Sequence, residues 1–202
     1  MSILGTRVLR TEDPAFLTRG GTYMDDVEDE RLAGALHATF LRSSVAHARI
    51  TGVDVEAART MPGVVAVYTY ADVADLPVRR PPAPHFDKAM VQTVLASEKV
   101  RYVGEPIALV LTEHRYQGED AAEAIIVDYD VLPAVVDPRT AADNPVKLFD
   151  DAASNVVGRF GKAEDLDPAF FDGCEVVVTE VIVNQRVAPA SMEGRGGIAV
   201  WG

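Results

Sequence analysis

Metal sites are built from histidine, cysteine and carboxylate side chains, so the spacing of those residues comes first. His37, His47, His85 and His114 stand far apart, with no i, i+4 pair and no H-x-x-x-H arrangement. Cys174 is the single cysteine and adds one thiol, whereas a metal site needs several converging ligands. The pattern is that of scattered surface and packing histidines, and no metal site is expected. The run Asp25, Asp26, Glu28, Asp29, Glu30 is densely acidic but lacks the alternating oxygen ligands and central glycine of a calcium loop. It reads as a solvated loop. "GRFGK", residues 158 to 162, sets glycines beside a lysine without the G-x-x-x-x-G-K-[ST] spacing or a preceding apolar strand, so it is no phosphate loop. No G-x-S-x-G elbow occurs. Ser43, Ser44, Ser97, Ser154 and Ser191 have no histidine–carboxylate pair that the sequence reveals. Cys174 opens a β-branched run behind Asp172-Gly173 and reads as a small half-buried core residue rather than a nucleophile.

The composition excludes other classes of function. The formal net charge of −12 argues against a nucleic-acid backbone as partner, because that demands clustered lysine and arginine. The nearest to a basic run is Arg79-Arg80, which leads straight into "PPAP" and reads as solvated loop. No run of 18 or more apolar residues exists, so no membrane span is expected. The opening "MSILGTRVLRTEDP" has no apolar core of signal-peptide length, and the cytoplasm is the expected location. With 202 residues, 48% of them hydrophobic, the chain can bury a core without disulfides.

The elements that would position any chemistry alternate between strand and helix patterns. "TEDPAFLTRGGTYMDDV" predicts an arm with one helical turn, started by Pro14 and ended by Gly20-Gly21. Residues 32 to 43 alternate as a strand. "VDVEAARTMPGV" predicts a helix capped by Asp54 and stopped by Pro62-Gly63. "VVAVYTY" is the next strand and "ADVADL" a short helical turn. Four prolines within eight residues make residues 77 to 97 a surface excursion. "KVRYV" then reads as a strand, Gly104 as a tight turn, and "IALVLT" as a strand covered on both faces. "RYQGEDAAEAI" predicts a helix with Ala121, Ala122 and Ile125 on its apolar stripe, and "IIVDYD" and "PAVVD" close the unit. After Pro138 the chain turns polar and punctuated by Asn, Asp, Pro and Gly. From Cys174, "CEVVVTEVIVNQ" is a long alternating strand, "VAPASMEGRGG" a bend, and "IAVW" the start of a further strand with no partner after it. From the residues alone this is an α+β domain followed by the beginning of a second, with no visible catalytic apparatus.

Four stretches, in order, resemble one family. "RTEDPAFLTRGGTYMDDV" resembles the amino-terminal arm of the large subunits of the molybdenum hydroxylases, the xanthine dehydrogenase, aldehyde oxidase and aerobic carbon monoxide dehydrogenase family. "LHATFLRSSVAHARITGVDVEAARTMPGVVAVYTYADV" is similar to that family's first strand-helix-strand unit. "VRYVGEPIALVLTEHRYQGEDAAEAIIVDYDVLPAVVD" is similar to its Gly-Glu-Pro turn and following helix. "NQRVAPASMEGRGGIAVW" resembles the segment leading into the molybdopterin-binding domain.

The resemblance implies an arm over residues 1–16, an α/β hammerhead domain over 17–137, a linker over 138–172, and the incomplete start of a molybdopterin-binding domain over 173–202. It implies a large subunit that carries molybdenum on a molybdopterin (cytosine) dinucleotide. Such a subunit oxidises an aldehyde, an N-heterocycle or carbon monoxide with water-derived oxygen, and passes electrons to iron-sulfur and flavin subunits. The family's Ser-Thr-Gln motif, Gly-Gly-Gly-Phe-Gly loop and base glutamate are not in this sequence, so no catalytic residue carries over and the chain alone is expected to be inactive. Gly104, Glu105 and Pro106 match the family turn and are expected to be structural. Arg186, Glu193 and Arg195 lie in the segment approaching the cofactor domain, and Glu193 with Arg195 is expected to form a buried polar brace. "ASMEGRGG" stands where the family more often reads Ala-Pro-Met-Glu-Pro-Arg-Gly-Ala, and losing the proline before Arg195 relaxes that turn. The alternative is a free-standing binding or assembly module that reuses the hammerhead fold.

Overall fold

β-branched and apolar residues in short alternating runs build two three-stranded antiparallel sheets, seen in a computed structural model that describes residues 9–78, 86–158, 167, 169–185, 187–188, 190–191 and 193–201. His85, the Arg79-Arg80 pair, Arg186 and all of "GRFGK" except Gly158 lie outside the described residues. The described residues fall into two units, one up to Gly34 together with those from Cys174 onward, and one running Ala35–Gly173.

The larger unit is organised around its most apolar strand. β1 spans His37–Arg42, β2 Ala48–Asp54, β3 Val64–Tyr68, β4 Lys99–Val100, β5 Pro106–Thr112 and β6 Ile126–Val131. β5 lies between β1 and β3 in the first sheet, so both of its edges are hydrogen-bonded: Val110 faces Thr39 on one side and Val67 on the other. β2 holds the same place between β4 and β6 in the second sheet. The first sheet slips register between Leu41 and Arg42, opposite Pro106. Proline has no N–H to donate there, and a bulge accommodates the missing rung.

α2 (Glu56–Arg59) and α4 (Arg115–Glu123) cover one face of the first sheet. Ala58 from α2 and Ala121 and Ala122 from α4 pack with Ala108 and Val110 of β5 and Val67 of β3. Small residues let the helix lie close. A β-carbon added at Gly118 would come within 2.1 Å of the Thr39 Oγ1 on β1. Ile107, the β5 residue that alternates away from the helices, joins a second cluster with Ala48, Ala96 and Val100. Val53 and Val127, from β2 and β6, touch both clusters. The prediction that "IALVLT" is covered on both faces therefore holds.

Three expectations are corrected. The helix read from Asp54 through Met61 is a single turn, and Ala48–Asp54 before it is a strand. Gly52 and the register shift between Ile50 and Gly52 break the period-2 signal there. "KVRYV" forms only the two residues of β4, because the chain turns at Tyr102 toward Gly104. "PAVVD" forms no strand. α3 (Tyr70–Val73) is the expected turn, with the Asp72 carboxylate accepting from the Thr69 N–H and hydroxyl. Residues 138–158, opened by α5 (Pro138–Ala141), lie in the same unit as the sheets, with Ala152 buried.

In the smaller unit, α1 (Asp13–Arg19) begins with proline in its first turn and ends at Gly20, whose φ of 78° a side chain would resist. Two 3-10 turns follow, Met24–Asp26 and Glu30–Leu32. The alternating residues 174–185 belong to no ladder among the described residues, nor do 198–201. Their apolar side chains are largely exposed.

Candidate functional site

The Gly-Glu-Pro turn is where the sequence pointed, and each of its three residues has a separate mechanical task. Gly104 adopts φ 94°, a conformation that costs glycine nothing and any other residue a steric clash. Its N–H donates to the Ser43 carbonyl at 2.8 Å, and its own carbonyl accepts from Nη1 of Arg42 at 3.0 Å. The Ser43 N–H returns a bond of 2.8 Å to the Glu105 carbonyl, so the turn is tied to the end of β1 from both sides. Pro106 starts β5, and its carbonyl accepts from the Ala96 N–H at 2.7 Å.

Glu105 is buried, and its carboxylate faces inward rather than toward a ligand. One oxygen accepts the Arg101 N–H at 2.5 Å and the other accepts from Nη1 of Arg101 at 3.1 Å. The Arg101 guanidinium lies 4.6 Å above the Phe149 ring, a cation–π contact made more favourable by burial. Its Nε is buried without a hydrogen-bond partner among the described atoms, and the ring face is what it meets. Beside it Lys99, also buried, reaches both carboxylate oxygens of Asp150 at 2.7 Å. That bond chiefly, with Lys99, Arg49 and Arg101 as nearby positive charges, holds the Asp150 carboxyl below its ordinary range. A buried ammonium is tolerable because it is paired.

This constellation is a brace. Each carboxylate is spent on a cation of the same fold, so none is left to act as base or ligand. Sequence reasoning found Glu105 and missed Lys99, Arg101, Phe149 and Asp150. The available signal was two cations flanking Val100 in an apolar run, and their partner lies 51 residues away.

His47 is also structural. Its Nδ1 lies 2.7 Å from the Pro133 carbonyl, and a carbonyl can only accept, so that nitrogen carries the proton. His114 stacks on Tyr116 at 5.7 Å before α4, and Cys174 is exposed rather than half-buried. Among the described residues no three histidine, cysteine or acidic side chains are placed to hold a metal.

Glu193 and Arg195 are both exposed and make no hydrogen bond or ion pair to each other, which corrects the expectation of a buried brace. Glu193 instead accepts the Met24 N–H at 2.5 Å, fastening the first 3-10 turn to residues 193–196. A groove of about 380 Å³ runs along β3, lined by Arg59, Tyr68, Asp72 and the strand itself. Arg59 is engaged by Glu56, and Asp72 by Thr69. Both charged residues of that groove are therefore engaged within the fold.

Comparison with known proteins turns these geometric facts into kinship. Residues 20–133 match the family described as aldehyde oxidase and xanthine dehydrogenase, a/b hammerhead domain. The chain is 40% identical over 202 residues to the nicotine 6-hydroxylase large subunit of Paenarthrobacter nicotinovorans, covering 98% of this chain and 24% of that one. Among solved structures it is similar to quinoline 2-oxidoreductase from Pseudomonas putida 86, at 41% identity and a TM-score of 0.66 over 76% of this chain and 20% of that one. It is similar also to the Cu,Mo-CO dehydrogenase, at 38% identity and a TM-score of 0.62 over 78% of this chain and 19% of that one. The chain spans about a quarter of the length of the curated relative.

Proposed function

Because this chain belongs to the aldehyde oxidase and xanthine dehydrogenase hammerhead family, we propose that it supplies the amino-terminal, hammerhead-bearing segment of the large subunit of a molybdenum-dependent oxidoreductase. The observation that carries this reading is the family match over residues 20–133, a span that includes the Gly-Glu-Pro turn and its inward-facing Glu105. The complete enzyme oxidises an aldehyde, an N-heterocycle or carbon monoxide, takes its oxygen from water, and works in the cytoplasm. Molybdenum on a molybdopterin cytosine dinucleotide supplies that redox chemistry when bound. The rest of the large subunit holds it, and iron-sulfur and flavin subunits accept the electrons. What this chain's residues do is scaffold: the turn and the Arg101–Glu105 pair shape the connection between β4 and β5, and the Lys99–Asp150 pair fastens residues 141–158 to β4. The proposal keeps an arm at 1–16, the hammerhead at 17–137, a connecting segment at 138–172 and the start of the cofactor domain at 173–202. Arg186, Glu193 and Arg195 then stand on the approach to that domain.

A second reading is favoured by one observation. The unit Ala35–Gly173 closes its own cores, as a free-standing binding or assembly module would. One experiment separates the two: purify the untagged chain from its native cell, with intact mass and metal analysis of what co-elutes. Recovery with a larger polypeptide and stoichiometric molybdenum supports the enzyme segment. Recovery alone, at the 21.7 kDa of the chain and free of molybdenum, supports the module.

A further inference from the structure

Residues 141–158 carry a hydrogen-bond framework of their own. Asn155 is its hub: Nδ2 donates to the carbonyls of Ala141 at 3.0 Å and Val146 at 2.8 Å, while Oδ1 accepts the Leu148 N–H at 2.9 Å. The Asn144 side chain accepts the Val146 N–H at 2.9 Å, and the Ser154 hydroxyl accepts the Val156 N–H at 3.2 Å. All these bonds join residues within the segment, so they survive if it leaves the sheets.

Among the described residues its attachments to the rest of the unit differ in kind, and Gly158 packs against the Phe86 ring. Asp150 meets Lys99, Phe149 lies under Arg101, Ala152 is buried, and the Val157 carbonyl accepts the Asp87 N–H at 2.8 Å. The central pair is asymmetric: the Lys99 side chain is 4% exposed and that of Asp150 is 64% exposed. The cation is therefore part of the sheet, and its counter-charge arrives on the segment. Arg49 stands directly opposite Lys99 across β2 and β4. Like charges directly opposite on antiparallel strands destabilise a sheet. Arg49 also faces Asp130 on β6, and Asp150 is the carboxylate that pairs with Lys99.

We propose that residues 141–158 form a strap that opens and closes as one unit over the β4 edge of the second sheet, with Asp150 as its electrostatic latch on Lys99. Closed, it neutralises Lys99. Open, it bares Lys99 and Arg101 while keeping its internal turns. Local opening of such contiguous units is a general property of native proteins, and a segment that keeps its own hydrogen bonds when it lifts can open as one piece. This inference stands whichever reading of the chain's function is right.

The test is amide hydrogen exchange by mass spectrometry on the full chain, with residues 107–112 as internal reference. Asp150→Asn keeps the side-chain shape and removes the counter-charge. It should speed exchange in 142–158 by at least about tenfold and leave β5 unchanged. Adding Lys99→Met, which removes the buried charge and keeps an apolar stem, should bring exchange back to within about threefold of the parent. Unchanged strap exchange in Asp150→Asn overturns the latch. So does failure of the double variant to recover. Loss of protection in the strap and β5 together overturns the separate unit.

Discussion

β5 and residues 175–183 are both rich in aliphatic and β-branched residues, yet they end in opposite environments. In β5, Ile107, Ala108 and Val110 are at most 1% exposed, and both edges of the strand are hydrogen-bonded. In the later run Val178 is 79% and Ile182 88% exposed, and no ladder forms among the described residues. Similar side chains therefore record only a demand for neighbours. Whether it is met depends on what other strands the fold brings alongside. An extended apolar run with exposed side chains and no ladder among the described residues is the kind of segment to which another strand can add.

The comparison breaks most visibly with a charge. Val110→Asp buries a carboxylate between two strands and should cost more than about 4 kcal/mol, abolishing the cooperative unfolding of the larger unit. Val178→Asp should change stability by less than about 0.5 kcal/mol, read by chemical denaturation followed by circular dichroism. Equal damage from the two would mean that residues 175–183 have a buried partner after all. Next in size is Gly118→Ala. Helix propensity alone would make it stabilising. A β-carbon 2.8 Å from the Thr39 Cβ should instead cost about 2 kcal/mol through overpacking. A rise in melting temperature would show that α4 does not seat so tightly on β1. Gly104→Ala, at φ 94°, should cost about 1 kcal/mol by backbone strain alone, measured in the same way.

The smallest effect is pH-dependent. Asp150 is held below its ordinary value of 3.8, first by the Lys99 hydrogen bond. A depressed carboxyl contributes stability that is present above the unfolded-state value and lost as pH falls through the folded one. Exchange in 142–158 should therefore stay constant from neutral pH down to about 5 once the intrinsic rate is corrected, then rise below 3.8 before β5 responds. A rise already at pH 6 would assign the latch to another group.

Much of the scaffold was legible because it is local. Pro14 and Gly20 bracket α1, Val64–Tyr68 and Pro106–Thr112 announce strands by composition, and the alanine stripe of α4 marks its buried face. β2 was not legible. Gly52 interrupts its alternation, and its pairing with β4 and β6 is what makes it a strand. The candidate site divides the same way. Gly104 and Pro106 could be read as a turn from their own backbone restrictions, whereas nothing near Glu105 indicates that its carboxylate belongs to Arg101. Glu193 could be singled out, but its bond to Met24 spans 169 residues.

The sequence by itself determined the kinship, the turn and the central strand, since each rests on residue type and short spacing. Only the tertiary structure decided that Lys99 would be buried, and that a carboxylate 51 residues onward would compensate it. It also decided that the acidic chain would turn Glu105 inward. Charge pairing across sheets depends on which side chains meet after the backbone has closed. One-dimensional periodicity carries the demand for a partner, and only the assembled fold supplies it.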